Sequence, residues 1–323
     1  MRYVTTFSPS RRLLIPILTV ALLFLGLFTA GCDTTEPGAD TSEGDVPYAD
    51  ISDFFAQRGA NLQSFSVSPN GETLTTSGGM ELTIPSDAFV DSGGNPIQGN
   101  IDISVREAFS IEDMINTNLT TVGDGDRQLI TGGMFDIDAS ASGSAVTLDG
   151  GINVRMPAET NTDPFTNQMS IWTADRDADA DTMSWTNTRQ QVEVIRDASN
   201  EATAWFFQIT DLEWFNCDVF WNADPRYSLK INQTGFTGSP SNLKIFVVSG
   251  NPTGVLGTSP DGQGAYDAIA LAGGNDYTVV AIAVEDNVQY YGEMTVTLSS
   301  NQTVTVDLVP TSESDLDAAL QAL

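Results

Sequence analysis

Four aspartates alternate along one short stretch, Asp175, Asp177, Asp179 and Asp181, separated by Arg176, Ala178 and Ala180. In an extended chain all four point one way, and closely spaced carboxylates attract a hard cation such as calcium. Two parts of an EF-hand loop are missing. Counted from Asp175, the sixth position is Ala180 where a glycine turns the loop, and the twelfth is Thr186 where a glutamate closes it. Ile171-Trp172 and Trp185 flank the run and read as paired strands of a hairpin. A solvated acidic hairpin tip is therefore the first expectation and a calcium site the second. Gly123-Asp124-Gly125-Asp126 reads as a turn, and no other cofactor is expected.

Nucleophilic chemistry has little to work with. The chain contains no histidine, which removes Ser-His and Cys-His machinery. Cys217 sits in Trp214-Phe215-Asn216-Cys217-Asp218, the setting of a small buried apolar side chain. Two carboxylates at the correct separation can hydrolyse a glycan. With 43 acidic residues some pair always stands at that separation, so the pattern selects nothing. There is no glycine-rich phosphate loop after a strand, no Cys/His metal spacing and no nucleophile elbow. The expectation is a protein that is not an enzyme, with a two-carboxylate glycan-active enzyme as the alternative. Trp205, Trp214 and Trp221 punctuate the densest aromatic run. They could stack on a sugar; the competing expectation is core on two neighbouring strands, or a seam between domains.

The amino end carries a different chemistry. Arg2, Arg11 and Arg12 precede an apolar stretch from Leu13 to Ala30, followed by Gly31-Cys32. A positive region, an apolar region and small residues before a cut are the parts of an export signal. Pro16 and Gly26 weaken the stretch as a membrane-crossing helix. Leu27-Phe28-Thr29-Ala30-Gly31-Cys32 resembles the bacterial lipobox, although Thr29 stands where leucine is usual. The resemblance implies cleavage before Cys32 and a diacylglyceryl group on its sulfur. Two or more acyl chains hold a protein on a membrane, whereas one binds only marginally. The expected location is the cell envelope, anchored to the outer or the inner membrane.

Removing residues 1–31 takes away three arginines and no acid, so 13 basic residues become ten and the formal charge moves from −30 to −33. Only two lysines exist, Lys230 and Lys244. Such a charge keeps a chain soluble and costs stability through self-repulsion. Acids spread evenly, with almost no lysine, resemble proteins of salt-loving bacteria. No basic stripe exists to neutralise phosphates, so nucleic acid is not expected as a partner. An envelope protein or a glycan is.

The elements that must position these residues are strands. From residue 62 to 309 short alternating segments follow one another between Gly, Asn, Asp and Pro, among them Glu81–Ile84, Asn100–Val105, Gln191–Ile195, Ser228–Ile231, Tyr277–Ile282 and Glu293–Leu298. Period-two alternation with frequent turns argues antiparallel sandwiches. The expected fold class is all-β, with two antiparallel β-sandwich domains after a signal peptide and flexible tether, and a short C-terminal helix. The expected bounds are 1–31 for the signal peptide, 32–48 for an acidic tether, 49–223 and 224–310 for the two sandwiches, and 311–323 for the helix. Asp50 is a candidate cap for a short helix starting at Ile51.

Gly79–Phe89, Gly94–Gly99, Val105-Arg106-Glu107, Asp113-Met114 and Leu129–Phe135 follow one another in an order that resembles a group of uncharacterised envelope lipoproteins of the Bacteroidetes. Its first half is similar to the β-sandwich of ankyrins and netrin receptors. Some of those sandwiches cleave themselves at a histidine-containing motif, which this chain cannot do. Pro225 to Val309 resembles, more weakly, a carboxypeptidase regulatory-like domain. These likenesses imply fold and location rather than chemistry.

The protein should unfold at a higher temperature in about 1 M sodium chloride than in about 0.1 M, because the Debye length shrinks from roughly 10 Å to 3 Å. Calcium at matched ionic strength should add nothing. A further rise that disappears in Asp177→Ala/Asp179→Ala would instead place a cation on the aspartate run.

Overall fold

The computed structural model describes residues 47–323 apart from 124, 126, 159–161, 163 and 175–182. In the first half, α1 (Ile51–Arg58) leads to β1 (Gln63–Val67), β2 (Glu72–Thr75), β3 (Glu81–Ile84), β4 (Phe89–Val90), β5 (Ile101–Ala108) and α2 (Ile111–Asn116). Then come β6 (Val122–Gly123), β7 (Arg127–Ala141), β8 (Ser144–Ala145), β9 (Thr147–Leu148), β10 (Ile152–Pro157), β11 (Ser170–Ala174), β12 (Thr186–Gln191), β13 (Glu193–Arg196), β14 (Ala202–Ile209) and β15 (Trp214–Phe220). The second half holds β16 (Arg226–Thr234), β17 (Leu243–Gly250), β18 (Thr253–Gly257), β19 (Ser259–Pro260), β20 (Tyr266–Ala272), β21 (Asp276–Glu285), β22 (Val288–Thr297), β23 (Gln302–Asp307), β24 (Val309–Pro310) and α3 (Glu313–Gln321).

Two sandwiches result. In the first, a sheet of order β1-β5-β7-β15-β11-β12, with β6 and β8 added to β7, faces a sheet of order β13-β14-β10-β3-β2. In the second, β19-β20-β16-β23 faces β18-β17-β21-β22-β24. Among the described strands the ladders are antiparallel except β16 with β23, which run parallel. The inner faces follow the alternation: Ile103 and Val105, Phe135 and Ile137, and Val154 and Met156 all point into the first core.

β21 breaks the half-buried pattern that period-two alternation predicts. Val279, Ala281 and Ala283 fill the second sandwich, while Val280, Ile282 and Val284 fill a separate core on the opposite face. A strand buried on both faces reads as a continuous apolar run, as Tyr277-Thr278-Val279-Val280-Ala281-Ile282-Ala283-Val284 does.

That separate core is the seam between the sandwiches. Phe246, Val248 and Ile282 of the second meet Leu129, Met134, Trp172 and Trp214 on the outer face of the first. The three helices plug it with Ile51 and Phe54, Met114 and Ile115, and Leu316 and Leu320. Thr121 stitches the halves directly, its N–H donating to the Val255 carbonyl at 2.6 Å and its hydroxyl accepting from the Val255 N–H at 3.0 Å. The described residues from 47 onward accordingly belong to one compact unit.

Local sequence explains the helices. The Asp50 carboxylate accepts from the N–H groups of Ser52 and Asp53, both at 2.9 Å, and so caps α1. Ser110 caps α2 and exchanges bonds with Asp113 in a capping box. Strand alternation gives no hint of α2; the pair Ser110 and Asp113, three positions apart, is its signal. The Ser312 hydroxyl caps α3.

α1 also clasps the far end of the chain. Arg58 pairs with Glu313 at 3.3 Å and with Asp317, and the Tyr48 hydroxyl donates to Glu313. Phe54 is fully buried, and Phe55 meets Phe246 edge-on at 6.4 Å. Phe54→Ala should cost about 3–5 kcal/mol in urea unfolding, although Phe54 belongs to neither sandwich interior.

Candidate functional site

The residues singled out by type do not converge. Cys32 and the run Asp175, Asp177, Asp179 and Asp181 lie outside the described residues. On either side of that run β11 and β12 pair antiparallel, but Trp185, expected to pair with Ile171-Trp172, lies just before β12 and bridges Gly123 instead. Among the described residues, no three His, Cys, Asp or Glu side chains gather as a metal-binding group, and no helix is long and apolar enough to cross a membrane.

The three tryptophans part company because β14 and β15 belong to opposite sheets rather than to neighbouring strands. Trp205 points from β14 into the first core, where its indole N–H donates to the Thr166 carbonyl at 3.2 Å. Trp214 points from β15 the other way, into the seam. Trp221 lies at the junction, 6.3 Å from the Tyr277 ring. With exposures of 0%, 6% and 6%, they form no shared stacking face.

Two glycines of β7 make this arrangement fit. At Gly132 a Cβ would stand 2.5 Å from Trp205, and at Gly133 it would stand 2.7 Å from Phe109. Gly133 has φ +122°, a conformation that L side chains rarely adopt. The pair bulges opposite β15, shifting the register between Asn216 and Asp218.

A buried polar chain sits beside that bulge. The Thr131 hydroxyl accepts from the Gly133 N–H at 2.9 Å and donates to Asn216 Oδ1 at 3.0 Å. The Asn216 amide then donates to Asp218 Oδ2 at 2.7 Å. Asp218 Oδ1 is buried with no partner among the described residues. Burial pushes the Asp218 carboxyl well above the usual carboxylate range, against the lowering effect of Thr131 and Asn216, so it is held neutral. Cys217, on the other face, is a buried free thiol whose ionisation is opposed by burial first and by Asp218 second. A thiol so placed is inert. Asn216 and Asp218 are legible in the sequence as polar residues interrupting an aromatic strand, but their convergence on Thr131 is not.

A crevice of about 370 Å³ opens at the seam beside the start of α2. Phe109, Glu112, Thr131, Thr253, Leu320 and Leu323 are among its walls, so both sandwiches and α3 contribute.

No known protein family matches the chain, and no curated protein matches it. Among solved structures it is similar to a pilus-presented adhesin at 11% identity, over 79% of this chain and 96% of that one, with a TM-score of 0.15. A score of that size carries no argument about function.

Asp218 fixes a pH dependence. Its folded form keeps a proton that the unfolded chain releases near the ordinary carboxylate value, so above that value the unfolded state binds fewer protons and stability falls as pH rises. The slope from this group is at most about 1.4 kcal/mol per pH unit. Asp218→Asn, which keeps the shape and cannot ionise, should be the more stable protein near pH 8. Its stability should meet the parent's near pH 4, measured by denaturant unfolding across that range.

Proposed function

We propose that the chain is a lipid-anchored protein of a bacterial envelope whose two-sandwich body has a binding or structural role and no enzymatic one. The observation that carries this reading is the succession of Arg11-Arg12, the apolar stretch Leu13–Ala30, and Gly31-Cys32. The acids spread through the body support a salty setting. Of the expected tether 32–48, Tyr48 is buried in the seam and bonds Glu313, so the tether proposed is the stretch before residue 47, acidic and without apolar periodicity. A coil of that length averages roughly 20 Å end to end, enough to lift a body off lipid headgroups. The body carries no histidine, and its one described thiol is buried. The order of motifs from Gly79 to Phe135 supports kinship with the Bacteroidetes envelope lipoproteins.

The test is metabolic labelling with palmitate in a bacterial host. The parent should incorporate label and shift to a processed form. Cys32→Ala, or globomycin treatment, should abolish both. Undiminished labelling in the Cys32→Ala chain removes the anchor.

A further inference from the structure

We propose that the crevice between α2, β18 and α3 binds a small organic cation carried on an apolar stem, of the alkylammonium class. Its volume, about 370 Å³, falls among sites that take small molecules. Phe109, Ile111, Leu320 and Leu323 supply apolar wall, which suits a stem and not a bare metal ion; a hard cation needs about six or more oxygens.

The polar lining divides into groups that are occupied and groups that are free. The Ser110 hydroxyl and Asp113 are spent on each other in the helix cap. The Thr131 hydroxyl is spent on Gly133 and Asn216. Glu112 and Thr253, by contrast, have no side-chain hydrogen bond or ion pair among the described residues. Thr253 is only 9% exposed, and it lines the crevice. Its hydroxyl therefore offers a ligand a donor and an acceptor that no protein group has claimed.

Charge selects the ligand. No Lys or Arg lines the crevice to neutralise Glu112, and the chain's formal charge of −30 raises the local concentration of cations. An ammonium group would meet the Glu112 carboxylate in a charge-assisted hydrogen bond, with the Phe109 ring as a second attraction for the cation. Gly78 and Gly133 leave room for the ring: a Cβ at either would stand 3.0 Å or less from Phe109.

The experiment titrates the purified full-length protein with cyclohexylammonium chloride by calorimetry, against cyclohexanol and sodium chloride. The expected result is saturable binding of one ligand per chain, with no competition from cyclohexanol. Glu112→Gln should weaken binding about tenfold or more, and Thr253→Val about threefold. Both variants should keep the parent's melting temperature without ligand, since neither side chain has a partner to lose. Absence of saturable binding, equal binding of cyclohexanol, or unchanged affinity in Glu112→Gln would overturn the site. None of these outcomes touches palmitate labelling at Cys32, so this site and the anchor stand or fall separately.

Discussion

The body is organised by one constraint: the sheet containing β17 and β21 is apolar on both faces. Its inner face is covered by its own sandwich, leaving Phe246, Val248, Val280, Ile282 and Val284 to be covered from outside. Left in water, each of these side chains would forgo about 1.5–3 kcal/mol of transfer free energy. The first sandwich, α1, α2 and α3 are all brought to that face. Elements far apart in sequence become neighbours there, and Arg58 near the start of the body pairs with Asp317 near its end.

An apolar seam alone does not fix how two sandwiches sit. Direction comes from the polar bonds set into it. Thr121 exchanges bonds with Val255, and the Tyr277 hydroxyl reaches Gln128 at 3.4 Å. The Arg226 guanidinium donates to the carbonyls of Trp221 and Ala270 at the junction. Each is satisfied only in one register, because a buried polar group without its partner costs about 1–3 kcal/mol. Not every buried atom is satisfied: among the described residues Gln128 Nε2 and one oxygen of Asp218 have no hydrogen-bond partner, and at Asp218 burial keeps the carboxyl neutral.

The surface follows a different logic from the seam. Acids are abundant and lysines few, so the exterior repels itself while the two interiors and the seam hold it together. Salt weakens the first effect and strengthens the second only when the anion is one excluded from protein surfaces. The crevice at the end of the seam is the place where the two regimes meet, with Glu112 on one wall and Leu320 on another.

Much of this is legible in the residues themselves. Alternation within Glu81–Ile84 and Ser228–Ile231 marks strands because side chains of a strand face two sides in turn, and Asp50 marks a helix start because its carboxylate suits free N–H groups. The missing histidine is equally plain from the residues alone. Tertiary structure alone decided which face each alternating residue would meet. Trp205 and Trp214 look alike in sequence, yet one fills a sandwich and the other the seam, since a strand's period records that two faces differ and not what lies against them. Gly132 and Gly133 are permissive on paper; only the approach of Trp205 and Phe109 makes them necessary. Glu112 and Thr253, in different halves of the chain, share a crevice because the second apolar face of β21 had to be covered.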